Sequence, residues 1–445
     1  MPILLLVLGL VAWRAPAFIP YAEAKPILAA HGQDVPESGW SDWVTRRDAD
    51  IRGRLARGDE DALVYLWLYG TSFTKLPRAT EQDVARLADS EKAEALLLRR
   101  LDDLVAGIAS PGSNERLRFA RALLARKGLS PDTLPGRDQV KVFLADARER
   151  VIAENDRFRR VAESARQSAD AAAATTTYAT LFHERGLSSD TRLTAGFAID
   201  KALAAIAAAG ALGAGTVTRA AIVGPGLDFT DKAEGYDFYP QQTIQPFALI
   251  DSLVRLGLAS RGGARLTTFD LSPRVNEHLA SAHRAAGTGR RYVVRLPLAS
   301  GDPRHEWQPD LVGYWRAFGS RIGREVPAAT PPGTSGVRVR AVSVDPAVAL
   351  SLTPRDLNII VQRHALPEAE RFDLIVATNI LVYYDAFDQA LALANIASML
   401  RPGGYFLTNY AVAPSASMEA LPSLTSPVFF DRQGNGDTIY CYRRR

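Results

Sequence analysis

At 445 residues the chain exceeds one ordinary domain, so two domains and an end segment are expected. Hydrophobic residues make up 47% of it, enough for real cores, which excludes a globally disordered chain. The net charge is +4, only 7 of the 53 basic residues are lysines, and no dense basic stripe is seen, so no nucleic-acid surface is evident. The lone cysteine, Cys441, excludes intrachain disulfides and cysteine metal clusters. His278 and His283 stand five apart, off a common helix face, and no metal is expected.

Residues 3–13 form an apolar run of 11, shorter than the roughly 17–25 of a membrane span. Ala22-Glu23-Ala24 has the small-residue form of a signal-peptidase site, but no basic residue precedes the run. Arg14, Lys25, Arg46 and Arg47 follow it, a bias that keeps the body of the chain cytoplasmic if the run anchors. A weak membrane contact, a signal peptide and a buried helix stay open for residues 1–24. The expected location is cytoplasmic, with membrane association through 3–13 and export as the other readings.

Residues 25–192 read as an all-helical domain. Leu63, Leu66 and Trp67 share one helical face, and Leu96, Leu97, Leu101 and Leu104 repeat at three-to-four spacing. Leu117, Ala120, Leu123 and Leu124 continue the pattern before the breakers Gly128, Pro131, Pro135 and Gly136. A long helix is expected over 138–173, with Val142, Phe143, Val151, Ile152 and Phe158 on its apolar side. This half carries no chemical motif and reads as a packing or oligomerisation module.

Residues 193–445 change rhythm. A helix over 194–209 precedes strands expected at 219–224, 265–270, 337–344, 372–378 and 405–409, and helices at 246–258, 274–286, 354–364 and 386–400. Alternation of this kind predicts an α/β fold with a doubly wound, mostly parallel sheet. Thr353-Pro354-Arg355-Asp356 reads as a capped helix start, and Pro402-Gly403-Gly404 as a turn before a strand. Runs at 428–430 and 438–442 flank a glycine-containing loop, so the sheet ends in an antiparallel hairpin. Insertions are expected at 229–242, read as a lid or a surface loop, and at 287–336, an aromatic flap or added subdomain.

The first strand runs into Val223-Gly224-Pro225-Gly226-Leu227-Asp228, where two glycines let backbone approach a ligand at the carboxyl edge of the sheet. The second ends at Asp270, suited to accept from two ribose hydroxyls or, equally, to sit at a helix N-terminus. The third ends at Asp345, placed to accept from an adenine amino group, and the fourth leads to Asn379, Tyr383, Tyr384 and Asp385. Three consecutive strands with polar ends at one edge point to a nucleoside site.

In these residues the chain resembles the class I S-adenosylmethionine-dependent methyltransferases. Val223-Gly224-Pro225-Gly226-Leu227 looks like their glycine loop, and Phe269-Asp270-Leu271-Ser272-Pro273 like their second-strand signature. Phe372-Asp373-Leu374-Ile375-Val376 with Asn379 resembles their fourth strand. Asn379-Ile380-Leu381-Val382-Tyr383-Tyr384 is also similar to the chemotaxis-receptor glutamate methyltransferases, and Leu400-Arg401-Pro402-Gly403-Gly404 to the family's turn before strand five. The resemblance implies S-adenosylmethionine as cofactor, Gly224 and Gly226 lining its methionine side, Asp270 on the ribose, Asp345 near adenine and Asn379 near donor or acceptor. Three departures stand out: Ile222 replaces an acid, Asp228 replaces a third glycine, and Gly226 lies 44 residues before Asp270. Asp228 is the candidate to supply the missing acid, and Tyr383, Asp385 and Asp228 are the candidate acceptor-side bases. The methyl acceptor, small molecule, protein or lipid, is not specified. A non-catalytic binding module, an aminopropyl transferase and, less well fitted, a dinucleotide dehydrogenase are the competing classes.

Overall fold

The computed structural model describes residues 15–78, 91–167, 185–230, 237–299, 306–328 and 337–445. The apolar run 3–13 lies outside these residues, as do 231–236 of the expected lid and parts of the 287–336 insertion. Among the described residues no helix is long and apolar enough to cross a membrane, and no group of three or more His, Cys, Asp or Glu side chains is arranged to hold a metal.

The chain opens with strand β1 (Ala17–Phe18) and helices α1 (Tyr21–Ala30), α2 (Glu37–Tyr69), α3 (Glu91–Ala109), α4 (Glu115–Arg126) and α5 (Leu134–Gln167). Asn114 starts α4 by accepting hydrogen bonds from the N–H groups of Arg116 (3.0 Å) and Leu117 (3.2 Å). On α3 the buried stripe is Leu97, Leu101, Leu104, Val105 and Ile108, the helical spacing of one face. On α5 the buried stripe is Val140, Leu144, Ala147 and Val151, whereas Val142, expected on the apolar side, is 61% exposed. Helix α5 starts at Leu134, four residues before the expected start, because Thr133 Oγ1 accepts from the Gly136 N–H and caps the first turn. Helix α2 is shared: its Trp40 and Val44 pack with Phe387 and Leu391 of the C-terminal half, while Leu63, Leu66 and Trp67 lie in the helical core.

The second half continues with α6 (Leu193–Ala208), β2 (Arg219–Val223), α7 (Gln245–Arg255), β3 (Arg265–Asp270), α8 (Pro273–Gly287) and β4 (Val293–Ala299). Then come α9 (Pro309–Ala317), β5 (Gly323–Val326), β6 (Val337–Val344), α10 (Pro346–Leu350), β7 (Leu352–Asp356), β8 (Gln362–Arg363) and β9 (Phe372–Ala377). The chain closes with α11 (Ala386–Met399), β10 (Leu400–Thr408), β11 (Met418–Ala420), β12 (Ser426–Phe429) and β13 (Gly436–Arg444). The main sheet runs β11-β13-β10-β9-β2-β3-β7, with β12 also on β13. Its five central and edge strands β10, β9, β2, β3 and β7 are mutually parallel, and β13 is antiparallel to β10. Alternate residues of β2 feed opposite cores: Ala220 and Ile222 pack with α6 and α7, Ala221 and Val223 with α11. Covering both faces explains why β2 reads as a near-continuous apolar run over residues 220–223.

Two expected elements are corrected. The strand at Val337–Val344 exists, but it lies between β4 and β5 in a separate antiparallel sheet of three strands. The segment read as a helix over 354–364 begins as β7, whose Pro354 pairs with Thr268 of β3. Proline removes a ladder N–H, which an edge strand tolerates, and β7 is the sheet's edge.

Gly58 of α2 sits directly on the segment that enters the second half: a Cβ there would meet the Leu187 carbonyl oxygen at 1.9 Å. Gly58→Ala is expected to destabilise the protein by about 1–3 kcal/mol through overpacking. Urea unfolding with an unmoved midpoint would contradict this contact.

Candidate functional site

Beyond the carboxyl ends of β2, β3 and β9 lies a hollow of about 350 Å³. That is the size of a small-ligand site. Gly224, Gly226, Asp270, Asn379 and Tyr383 all line it. Both glycines have left-handed backbone, at φ +67° and +62°. A Cβ at Gly224 would meet Ile380 Cδ1 at 2.1 Å, and one at Gly226 the Ser189 carbonyl oxygen at 2.7 Å. Left-handed backbone favours glycine at both positions, and at Gly226 the Ser189 backbone also leaves no room for a side chain.

A strap that sequence reasoning missed forms the opposite wall. Residues 187–192 lead into α6 and line the hollow. The strap pairs with the glycine loop: the Leu227 N–H donates to the Ser189 carbonyl (2.7 Å), and the Thr191 N–H to the Leu227 carbonyl (3.1 Å). Leu55 of α2 reaches the same space from the helical domain. Thr191 Oγ1 and Thr230 Oγ1 are buried there without a hydrogen-bond partner. A buried hydroxyl in that state is costly unless something supplies a partner.

Asp270 is 9% exposed, and its Oδ1 accepts from the Ser272 N–H at 2.8 Å. Burial pushes its carboxyl up to about 6, against the lowering effect of the Ser272 and Gly226 N–H groups and the Arg274 cation. Asn379 also has left-handed backbone, at φ +58°. It is held by Asn409, which accepts from the Asn379 N–H and donates to its side-chain oxygen, both at 2.7 Å. The Tyr383 carbonyl accepts from Arg54 at 2.9 Å.

Three candidate residues lie elsewhere. Asp345 precedes α10 and pairs with Arg261 and Arg291, away from the hollow, because β6 belongs to the other sheet. The third parallel strand is β7, and Leu357 and Ile359, just past it, line the hollow. Its terminal Asp356 lies in register with Asp270 but turns to a bidentate pair with Arg52 (2.7 and 3.1 Å). Asp228 accepts from Tyr239 Oη and Gln242 Nε2, each at 2.8 Å, and faces a much smaller cavity with Arg295. Asp385 caps α11 through the Asp388 N–H and borders a cavity with Arg46 and Arg47. The N-terminal helix α1 and Arg363–Leu366 flank a larger cavity of about 1270 Å³, which gathers none of the glycine loop and no end of β2 or β3. Volume alone does not mark the site; chemistry at the sheet edge does.

No family model and no curated protein matches this sequence. Among solved structures the chain is similar to magnesium protoporphyrin IX methyltransferase from Synechocystis PCC 6803, solved with bound SAM. The identity is 10% and the TM-score 0.25, over 56% of this chain and 81% of that one. It is also similar to the glycopeptide N-methyltransferase MtfA complexed with S-adenosyl-L-homocysteine, at 13% identity and TM-score 0.20, over 59% and 74%. Human N-acetylserotonin methyltransferase, in complex with SAM, aligns over 92% of this chain and 96% of its own, at 12% identity and TM-score 0.23. At these scores the likenesses carry no argument about the site. The strand order describes the sheet by itself: five parallel strands with the antiparallel β13 beside β10.

Because the folded-state carboxyl of Asp270 is raised, the native protein keeps a proton between about pH 4 and 6 that the unfolded chain has lost. Stability therefore falls as pH rises through that window. Asp270→Asn is expected to stabilise the ligand-free protein by about 1–3 kcal/mol at pH 7.5. The gain should disappear below pH 4. A melting series showing no such pH-dependent gain would refute the buried-carboxylate description.

Proposed function

We propose that the chain transfers a methyl group from S-adenosylmethionine to an acceptor that remains to be identified. The carrying observation is Asp270, a buried carboxylate beside the left-handed glycine loop at the lip of a 350 Å³ hollow. Its carboxylate would take two ribose hydroxyls, the group type that offsets the cost of keeping it buried and charged. Gly224 and Gly226 would face the methionine part, and Leu271, Leu357 and Ile359 supply apolar surface for a planar base. Thr191 and Thr230 line the same hollow, and their buried, unpartnered hydroxyls would reach the ligand's amino-acid end or ribose on a side-chain rotation.

Bound there, S-adenosylmethionine supplies an electrophilic methyl on a sulfonium. The chain's own residues then have three tasks: hold the donor, align the acceptor and exclude water. Asn379, Ile380 and Tyr383 stand at the end of β9 and would border the acceptor. Tyr383 is the acceptor-side candidate in reach; Asp385 and Asp228, bonded outside the hollow, are not proposed for that role.

One observation favours a second reading, a binding module without turnover: Ile222, where the family has an acid, is 1% exposed in the core, and Asp228 does not line the hollow. The same experiment addresses both. Calorimetry should show S-adenosylmethionine binding, weakened at least tenfold by Asp270→Ala. Labelled-donor transfer in extract distinguishes turnover from binding alone, and absence of any affinity would sink the proposal.

A further inference from the structure

On the reading that the hollow takes S-adenosylmethionine, we infer that Arg116, in the helical domain, is a positioning residue for that site. It holds the loop that places Thr230 in the wall of the hollow. Arg116 lies on α4 and is 2% exposed. Its guanidinium leaves the helical domain and spreads over three backbone carbonyls of the other half. Nε donates to Phe229, Nη1 to Tyr239, and Nη2 to Asp228 at 3.5 Å. The same group lies over the Phe229 and Tyr239 rings, 5.9 and 5.7 Å from their centroids.

The placement of these acceptors matters. The Phe229 carbonyl belongs to the rigid peptide unit whose nitrogen is that of Thr230, so a bond to it sets the orientation of Thr230 directly. Thr230 is 2% exposed and lines the hollow with Gly226 and Asp270, while its Oγ1 is buried without a hydrogen-bond partner. One guanidinium thus joins residues 228–229 to residue 239. Neighbouring contacts reinforce the tie. Asp237 accepts from the N–H groups of Thr71 (2.5 Å) and Ser72 (2.9 Å) and from Ser72 Oγ (2.6 Å), and Glu115 accepts from the Gln241 N–H (3.1 Å). Phe229 is itself buried in the helical core, edge-on to Phe119. Three different guanidinium nitrogens meet the three carbonyls, a spread that the single nitrogen of lysine does not match.

The test uses full-length Arg116→Lys, Arg116→Met, Thr230→Val and the double variant Arg116→Met/Thr230→Val, with S-adenosylhomocysteine titrated by calorimetry and circular dichroism checking the fold. Arg116→Met and Arg116→Lys should each raise Kd at least tenfold, and Thr230→Val at least threefold. The double variant should bind no worse than Arg116→Met alone, since loosening the loop already removes the Thr230 contact. Amide exchange at 226–230 should quicken in Arg116→Met without ligand, which tests the tie even if binding is too weak to measure. Unchanged affinity in the Arg116 variants, fully additive losses, or unchanged exchange would overturn the inference while leaving the cofactor reading intact. Wild-type protein with no affinity for S-adenosylhomocysteine would overturn both.

Discussion

Left-handed backbone at Gly224 and Gly226, walled in by Ile380 on one side and the Ser189 carbonyl on the other, is the constraint from which the rest of the site follows. A side chain at either position is strained, and at Gly226 it also meets backbone, so the first strand ends in this turn. The turn in turn fixes what lies beside it: the Gly224 N–H donates to the Phe269 carbonyl at 2.8 Å, locking the end of β2 to the end of β3, where Asp270 stands. The Leu227 amide takes the strap. Three separate stretches of chain are thereby held within reach of one small ligand.

The electrostatics of the hollow connect it to the helical half. Asp270 feels the Arg274 cation on α8, and Arg274, itself lowered by burial, pairs with Asp59 of α2 at 3.5 Å. The Arg274 guanidinium also lies 4.2 Å from the Phe119 ring and 4.9 Å from the Phe229 ring. A buried cation held by two rings and one carboxylate cannot relocate cheaply. The field at Asp270 therefore depends on residues of the all-helical domain as well as on its own sheet.

The sequence made the first two strands and their ends readable because there local chemistry and fold agree: two glycines where φ must be positive, and a carboxylate ending an apolar strand. The hairpin at the end was readable for the same reason, its loop glycine flanked by two alternating runs. Asp345 was misplaced because a strand announces itself by composition but not by the sheet it joins; β6 has the right residues and the wrong neighbours. At 353–356 threonine, proline and an acid imitate a helix start, and only the edge position, unseen in sequence, makes a strand of them. The strap at 187–192 left no signal, since short polar loops lack periodicity and their value lies in what they face; Thr230 fell within 229–242, read as a lid or a surface loop, without being singled out. Asp228 stood beside the glycines in sequence and is nonetheless committed to Tyr239 and Gln242, one residue being enough to turn a side chain to the other side of the loop.

The absence of any motif in the helical half follows from the way that half contributes. It reaches the site by packing and by hydrogen bonds to backbone: Leu55 in the wall, Gly58 against Leu187, Asp59 on Arg274, Arg116 on the carbonyls of 228, 229 and 239. Contacts to carbonyl groups require no particular residue on the receiving side, so nothing in the C-terminal half advertises them. Methyl transfer suits this division, because alignment and dryness can be delivered by a well-packed wall as well as by a reactive side chain. On the proposed reading, helices that read as mere packing material would govern how tightly the donor is held.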